Sequence, residues 1–157
     1  MMNNYNFYDT SSLLLRAGTL FEQEEQIVIS SITLKELEEI KTSNHKTGDI
    51  KFAARRILSL LTEHIGAYET VIFTEKMLEP IVRRDLTVTN DTKILACAIW
   101  YDKYVHPDET NFITNDLSLF HIANLFFGTD SISSVKRDID DVYVGYKEVI
   151  MDEETMG

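Results

Sequence analysis

NFYDTSSLLL, residues Asn6 to Leu15, reads as a short buried strand that stops on a carboxylate and turns into a helix. Asp9 stands at the switch. In open α/β sheets the carboxyl ends of the strands form the crevice where ligands are held, so an acid at the end of a first strand is well placed for chemistry. Three later stretches carry acids toward the same expected edge: Glu36 in ITLKELEEIK, Asp91 in TNDTKILACA and Asp116 in FITNDLSLF.

Working outward, residues 3 to 8 form the expected first strand, and Asp9 to Arg16 a helix announced by Asp, Thr and Ser and ended by Gly18. QIVISS, Gln26 to Ser31, is a β-branched run suited to a strand covered on both faces. The helix that follows, Thr33 to Lys41, places Leu34, Leu37 and Ile40 on one face with Glu36 projecting between Ile32 and Ile40. Glu38 and Glu39 fall in the polar sector, so Glu36 is the acid expected to face inward. TSNHKTGD has turn and cap composition and leads to a helix from Ile50 to His64, with Lys51, Arg55 and Arg56 away from its apolar stripe.

TVIFT, Thr70 to Thr74, is the third expected strand, again buried. Glu75 to Arg84 is helical or irregular and contains Pro80, and DLTVTN is a polar loop. Asp91 opens a helix that is apolar almost all round and therefore central, stopped by His106 and Pro107. Asn111 to Thr114 is a fourth strand, followed by the helix LSLFHIANLFFG closed by Gly128, and Ser131 to Val135 could add a fifth. Strand and helix alternate throughout. The expected fold class is α/β: a three-layer α/β/α sandwich around a central parallel sheet of four to five strands, joined by right-handed crossovers.

The 157 residues fit one domain, 1–137, with 138–157 as an acidic C-terminal tail or linker; 44% hydrophobic content suffices for a core. No run approaches the roughly 18 apolar residues of a membrane span, and MMNNYNFYD lacks the profile of a signal peptide. The expectation is a soluble, cytoplasmic protein with no membrane partner. The single cysteine, Cys97, lies in an apolar run and excludes an intrachain disulfide. Neither GxxxxGK[ST] nor GxGxxG occurs, so no P-loop or dinucleotide site is indicated.

The net charge of -11 speaks against a general polyanion binder, since phosphates are contacted by clustered Lys and Arg. The charge is uneven, however. Lys35, Lys46, Lys51, Arg55 and Arg56 lie close in sequence, while acids crowd the tail. Taken singly, Asp9, Asp91 and Asp116 read as helix N-caps and Glu36 as a solvated helix charge. Capping does not explain why all four should fall along one sheet edge. Four converging carboxylates repel one another and raise their pKa values, which a divalent cation offsets; an all-oxygen set selects Mg²⁺ or Mn²⁺ over Zn²⁺. Thr10, Thr114 and Asn115 flank the acids and could hydrogen-bond the carboxylates or metal-bound water. The four histidines, His45, His64, His106 and His121, are scattered and read as structural.

At FYDTSSLL, ITLKELEEI, NDTKILACA and FITNDLSL, in this order, the chain resembles the PIN domain family of metal-dependent nucleases over roughly residues 5 to 135. VISSITLKELEEIK, the helix around AARRILSLL and the tail DDVYVGYKEVIMDEE resemble more closely the PIN domain that precedes a PhoH-like ATPase, so the chain could be part of a longer protein or a free-standing relative. The resemblance implies an acidic quartet of Asp9, Glu36, Asp91 and Asp116, both catalytic and metal-binding, with Mg²⁺ or Mn²⁺. The further acid that many PIN domains carry after the last aspartate is missing, since Leu117, Ser118 and Leu119 stand there. The implied reaction is hydrolysis of single-stranded RNA by metal-activated water, with Lys35, Lys46, Lys51, Arg55 and Arg56 guiding the strand, and homodimerisation is a family expectation. Two alternatives stand beside it: a non-catalytic RNA- or protein-binding module, and a toxin-type endoribonuclease held by an antitoxin. A phosphotransferase with Asp9 as nucleophile is weaker, because DxDxT chemistry requires an acid where Ser11 stands.

Overall fold

A computed structural model describes residues 4–128 of the chain. Four strands, β1 (Tyr5–Tyr8), β2 (Gln26–Ser30), β3 (Tyr68–Val71) and β4 (Thr110–Ile113), form one sheet in the order β3-β2-β1-β4, every pairing parallel. The chain builds outward from β1 to β3 in one direction and returns to place β4 on the other side of β1. The order therefore reverses between β1 and β4, and the crevice of such a sheet opens at that reversal, beyond the strands' carboxyl ends.

Side chains alternate across the sheet with the period of two that a strand imposes. Phe7, Val28 and Phe112 point to one face and join a core with Ile94 to Ala98 and Tyr101. Tyr8, Ile27, Ile29 and Ile113 point to the other and join Leu13, Leu37, Ala54 and Ile57. Each fully buried side chain of this size contributes about 1.5–3 kcal/mol. The first face is covered by α5 (Asn90–Tyr104) and α6 (Leu117–Ala123), the second by α1 (Thr10–Leu15), α2 (Ser31–Thr42) and α3 (Gly48–Glu63). The expected α/β/α sandwich with a parallel sheet is what forms, with four strands among the described residues; the region named for a fifth, Ser131 to Val135, lies outside them, as do the 137 boundary and the acidic tail.

Local expectations depart from the structure in three places. The third strand lies at Tyr68–Val71 rather than Thr70–Thr74, and as an edge strand it is half exposed, not buried. Its run is cut short because Ser31 Oγ takes the Phe73 amide at 3.0 Å, which turns the chain away from the ladder and leaves Ile72 exposed. The last helix ends at Ala123, not Gly128; the chain then coils in turns so that Phe127 folds back and stacks on Phe112, ring centroids 5.9 Å apart. The first helix likewise stops at Leu15, ahead of Gly18.

The piece around Pro80 resolves into a short 3₁₀ helix, Glu75–Leu78, and α4 (Glu79–Arg83), whose first turn takes the proline without losing a hydrogen bond. α5 is central as expected, with Ile94, Leu95, Ala96, Cys97 and Ala98 all buried in succession. The Cys97 thiol is free and buried, and desolvation pushes its pKa up to about 12, which makes it inert. No helix among the described residues is long and apolar enough to cross a membrane.

Candidate functional site

The four sequence-selected acids line one cavity of about 390 Å³ beyond the carboxyl ends of β1 and β4. Asp9 follows β1 directly. Its amide continues the ladder to Ile113 O at 3.0 Å, so the residue is still held by the sheet while its side chain begins α1. Oδ1 caps the helix, accepting from the Ser12 amide at 2.9 Å and the Ser12 hydroxyl at 2.7 Å, and Ser11 Oγ lies 3.0 Å from both carboxylate oxygens. Oδ2 accepts from Thr114, the residue after β4, in a very short hydrogen bond. Asp9 is buried, and burial raises its pKa above the ordinary carboxylate value, against the lowering effect of the Thr114, Ser12 and Ser11 hydrogen bonds.

Asp116 repeats the arrangement one strand over. It caps α6, its Oδ1 accepting from the Ser118 amide at 2.9 Å and the Leu119 amide at 3.2 Å, and its own amide donates to Thr114 Oγ1 at 3.0 Å. Thr114 thus links the two capping acids across the strand reversal. Glu36 enters from α2 as expected, its Oε1 taking a short hydrogen bond from Thr10 and its Oε2 one from Asn90 Nδ2 at 3.1 Å. Three helices that share no strand are joined through this single carboxylate.

Asp91 differs from the expected N-cap. The cap of α5 is Thr89, which forms a reciprocal capping box with Thr92, and Asp91 sits inside the first turn with no capping duty. The residue is exposed as a whole, yet its carboxyl lines the cavity within hydrogen-bonding reach of Asp116. Loss of water, then repulsion by Asp116, Asp9 and Glu36, pushes its pKa up to about 6.

Of the flanking residues, Thr10 and Thr114 bond the acids as anticipated, but the Asn115 side chain does not. Asn115 uses its backbone amide to fix Ser11 Oγ at 3.0 Å, and its side chain lines a neighbouring cavity instead. Of the five basic residues chosen from the sequence, Lys46 lines the acidic cavity; Lys35, Lys51, Arg55 and Arg56 do not. Glu39, assigned from the helical wheel to the polar sector, also lines it, because the α2 face turned to solvent borders the crevice. Ser11, Ser12 and Asn90 were missed. In sequence they show only as cap-forming residues beside Asp9 and Asp91, and their bonds to the acids exist only once the elements meet. Of the histidines, His64 stacks on Phe21 and His106 on Tyr5, structural roles as expected, and none lines the cavity.

The donor set fits a hard divalent cation: four carboxylates with hydroxyl support and no thiol or imidazole, one of them held partly protonated by its neighbours. Among the described residues no three acid, imidazole or thiol side chains are already gathered closely enough to grip an ion, so the set would have to draw inward on one.

A parallel sheet ordered 3-2-1-4 with acids at the reversal defines an α/β protein built for chemistry at one edge. A family model of the PIN domain matches residues 7–126, and the chain belongs to that family, whose members are generally nucleases that typically use divalent metals. No curated protein matches the chain.

Proposed function

We propose that the protein is a metal-dependent ribonuclease that hydrolyses phosphodiester bonds of single-stranded RNA at the cavity between the ends of β1 and β4. The observation that carries this reading is the meeting of Asp9, Glu36, Asp91 and Asp116 around that cavity in a member of a nuclease family. Asp9 and Asp116, with Asp91 and Glu36 beside them, would hold Mg²⁺ or Mn²⁺, which supplies Lewis acidity and charge neutralisation toward the phosphate. Asp9 and Asp116 are positioned by their helix caps, so their carboxylates present fixed lone pairs to the cavity. Asp91, whose pKa stands near neutrality, is suited to accept a proton from an attacking water. Glu36 is oriented by Thr10 and Asn90, and Lys46 is the cation best placed to meet the incoming phosphodiester.

Cleavage of labelled single-stranded RNA with Mg²⁺, Mn²⁺ or EDTA tests the reading. Metal-dependent cleavage by the wild type, lost in Asp9→Asn and Asp116→Asn with the fold retained, is the expected result; equal cleavage by the variants would refute it. The net charge of -11 supports a second reading, a PIN scaffold that binds RNA or a partner without cutting. Absence of cleavage with metal bound would favour that one. Kinship with the PIN domain that precedes a PhoH-like ATPase, a cytoplasmic setting and a homodimer belong to the proposal and rest on the sequence resemblance alone.

A further inference from the structure

Beside the acidic cavity lies a second, of about 680 Å³, within the range of about 300–1,000 Å³ typical of small-molecule sites. The two share Ser11, Leu14 and Asp116, so a ligand held at the acids reaches the second cavity across one ridge. Its walls are aliphatic: Leu14 and Leu15 from α1, Ile50 and Ala53 from α3, and Leu117 at the start of α6. Leu15 and Leu117 are exposed there. Two polar groups face this apolar space. Asn115 Oδ1 is buried and has no hydrogen-bond partner, and Asp49 brings a carboxylate from the first turn of α3.

A buried acceptor without a donor is costly, and a ligand that brings a donor there recovers that cost. Both groups are acceptors as they stand. A phosphate is excluded by Asp49, and a sugar would need more polar partners than the aliphatic walls supply. A flat apolar ring with an N–H edge satisfies walls and acceptors together. Single-stranded RNA supplies such rings, because its unstacked bases can turn into protein pockets and be read along their edges.

We infer that this cavity receives the nucleobase next to the cleaved phosphodiester, and that Asn115 and Asp49 select bases carrying an exocyclic amino group, cytosine, adenine and guanine, over uracil. The inference rests on the ribonuclease reading for its strand and names the specificity of that site. Cytosine and uracil separate it best, since they differ in presenting an amino group or a carbonyl at the same ring position.

The test is a nuclear magnetic resonance titration of the full chain with cytidine and with uridine in EDTA, which needs no cleavage and avoids repulsion of a phosphate by the acids. Cytidine should bind about tenfold more tightly, the worth of one good hydrogen bond. Asn115→Leu should reduce that preference to near unity. Ala53→Phe, which fills the cavity from α3, should weaken both nucleosides; should that variant fail to fold, Leu117→Trp fills it from an exposed position on α6. Equal binding of the two nucleosides, or unchanged binding in a folded cavity-filling variant, would overturn the inference. Cleavage that occurs without regard to the neighbouring base would overturn it while leaving the ribonuclease reading intact. Cytidine preference without any RNA cleavage would uphold the base pocket and count against the ribonuclease reading instead.

Discussion

Asp9 and Asp91 face the same cavity from opposite sides and are held there by opposite means. Asp9 is a structural part of the β1–α1 corner: it caps a helix, continues a strand ladder and accepts from Ser11, Ser12 and Thr114. Asp91 carries none of that load, because Thr89 and Thr92 cap α5 in its place, and its surroundings chiefly repel it. A carboxylate that the fold uses cannot report on function alone. One that the fold merely tolerates can, since its removal costs the structure nothing.

The largest difference should appear when each is cut back to alanine. Asp9→Ala leaves the Ser12 amide and the Thr114 hydroxyl unmatched and should lower unfolding free energy by about 2–3 kcal/mol, the sum of a lost cap and a buried hydrogen bond. Asp91→Ala should lower it by none. In both, RNA cleavage should fall by more than the roughly 10–100-fold expected for a residue that only supports a ligand. Urea melts beside cleavage rates check this, and equal destabilisation by the two variants would break the contrast.

Thr114→Val keeps the shape and removes the hydroxyl that links Asp9 to the Asp116 amide. Cleavage should drop about 10–100-fold, as for an outer partner of a metal ligand, and stability by about 1–2 kcal/mol. Loss of stability without loss of rate would mean that Thr114 serves the sheet alone. Thr89→Ala, which removes the capping box beside Asp91, should cost about 1 kcal/mol and leave the Asp91 carboxyl able to act; a rate falling as far as in Asp91→Ala would show that the box positions the acid.

The smallest effect is on the pH profile of the metal-free protein. Because the folded Asp91 has a pKa of about 6, above an unfolded value near 3.9, its contribution to stability is fully present below about pH 4 and is lost as pH rises through about 6. Burial moves Asp9 in the same direction. Asp91→Asn should therefore melt at a higher temperature than the wild type above pH 6 in EDTA, with the gap closing toward pH 4. Mg²⁺ should narrow the gap at pH 7. A gap that is constant from pH 4 to 7 would show that the acids do not repel one another as placed.

Strand and helix order, the parallel sheet and the four acids were readable from residues alone, because period-two and helical patterns and cap residues act within a few positions. QIVISS and the α5 run needed no partner to be recognised. β3 was misplaced by its apolar run TVIFT, since a run cannot tell an edge strand from a central one; the pairing of Tyr68 with Ile27 and the Ser31 bond to Phe73 decide that.

The site divides in the same way. Asp9 and Asp116 were legible as acids that end strands, and Glu36 as the one inward glutamate on its helix. That Thr89 rather than Asp91 caps α5, that Glu39 and Lys46 border the crevice, and that Asn115 turns its side chain from the acids toward a second cavity emerge only in three dimensions. The bond from Thr114 to Asp9 spans 105 residues, and no local pattern registers a contact at that separation. The amino-acid sequence by itself determined which chemical groups the protein carries and which secondary elements present them. Tertiary structure decided which of those groups meet, because strand order and the shape of a cavity depend on packing between segments that are strangers in sequence.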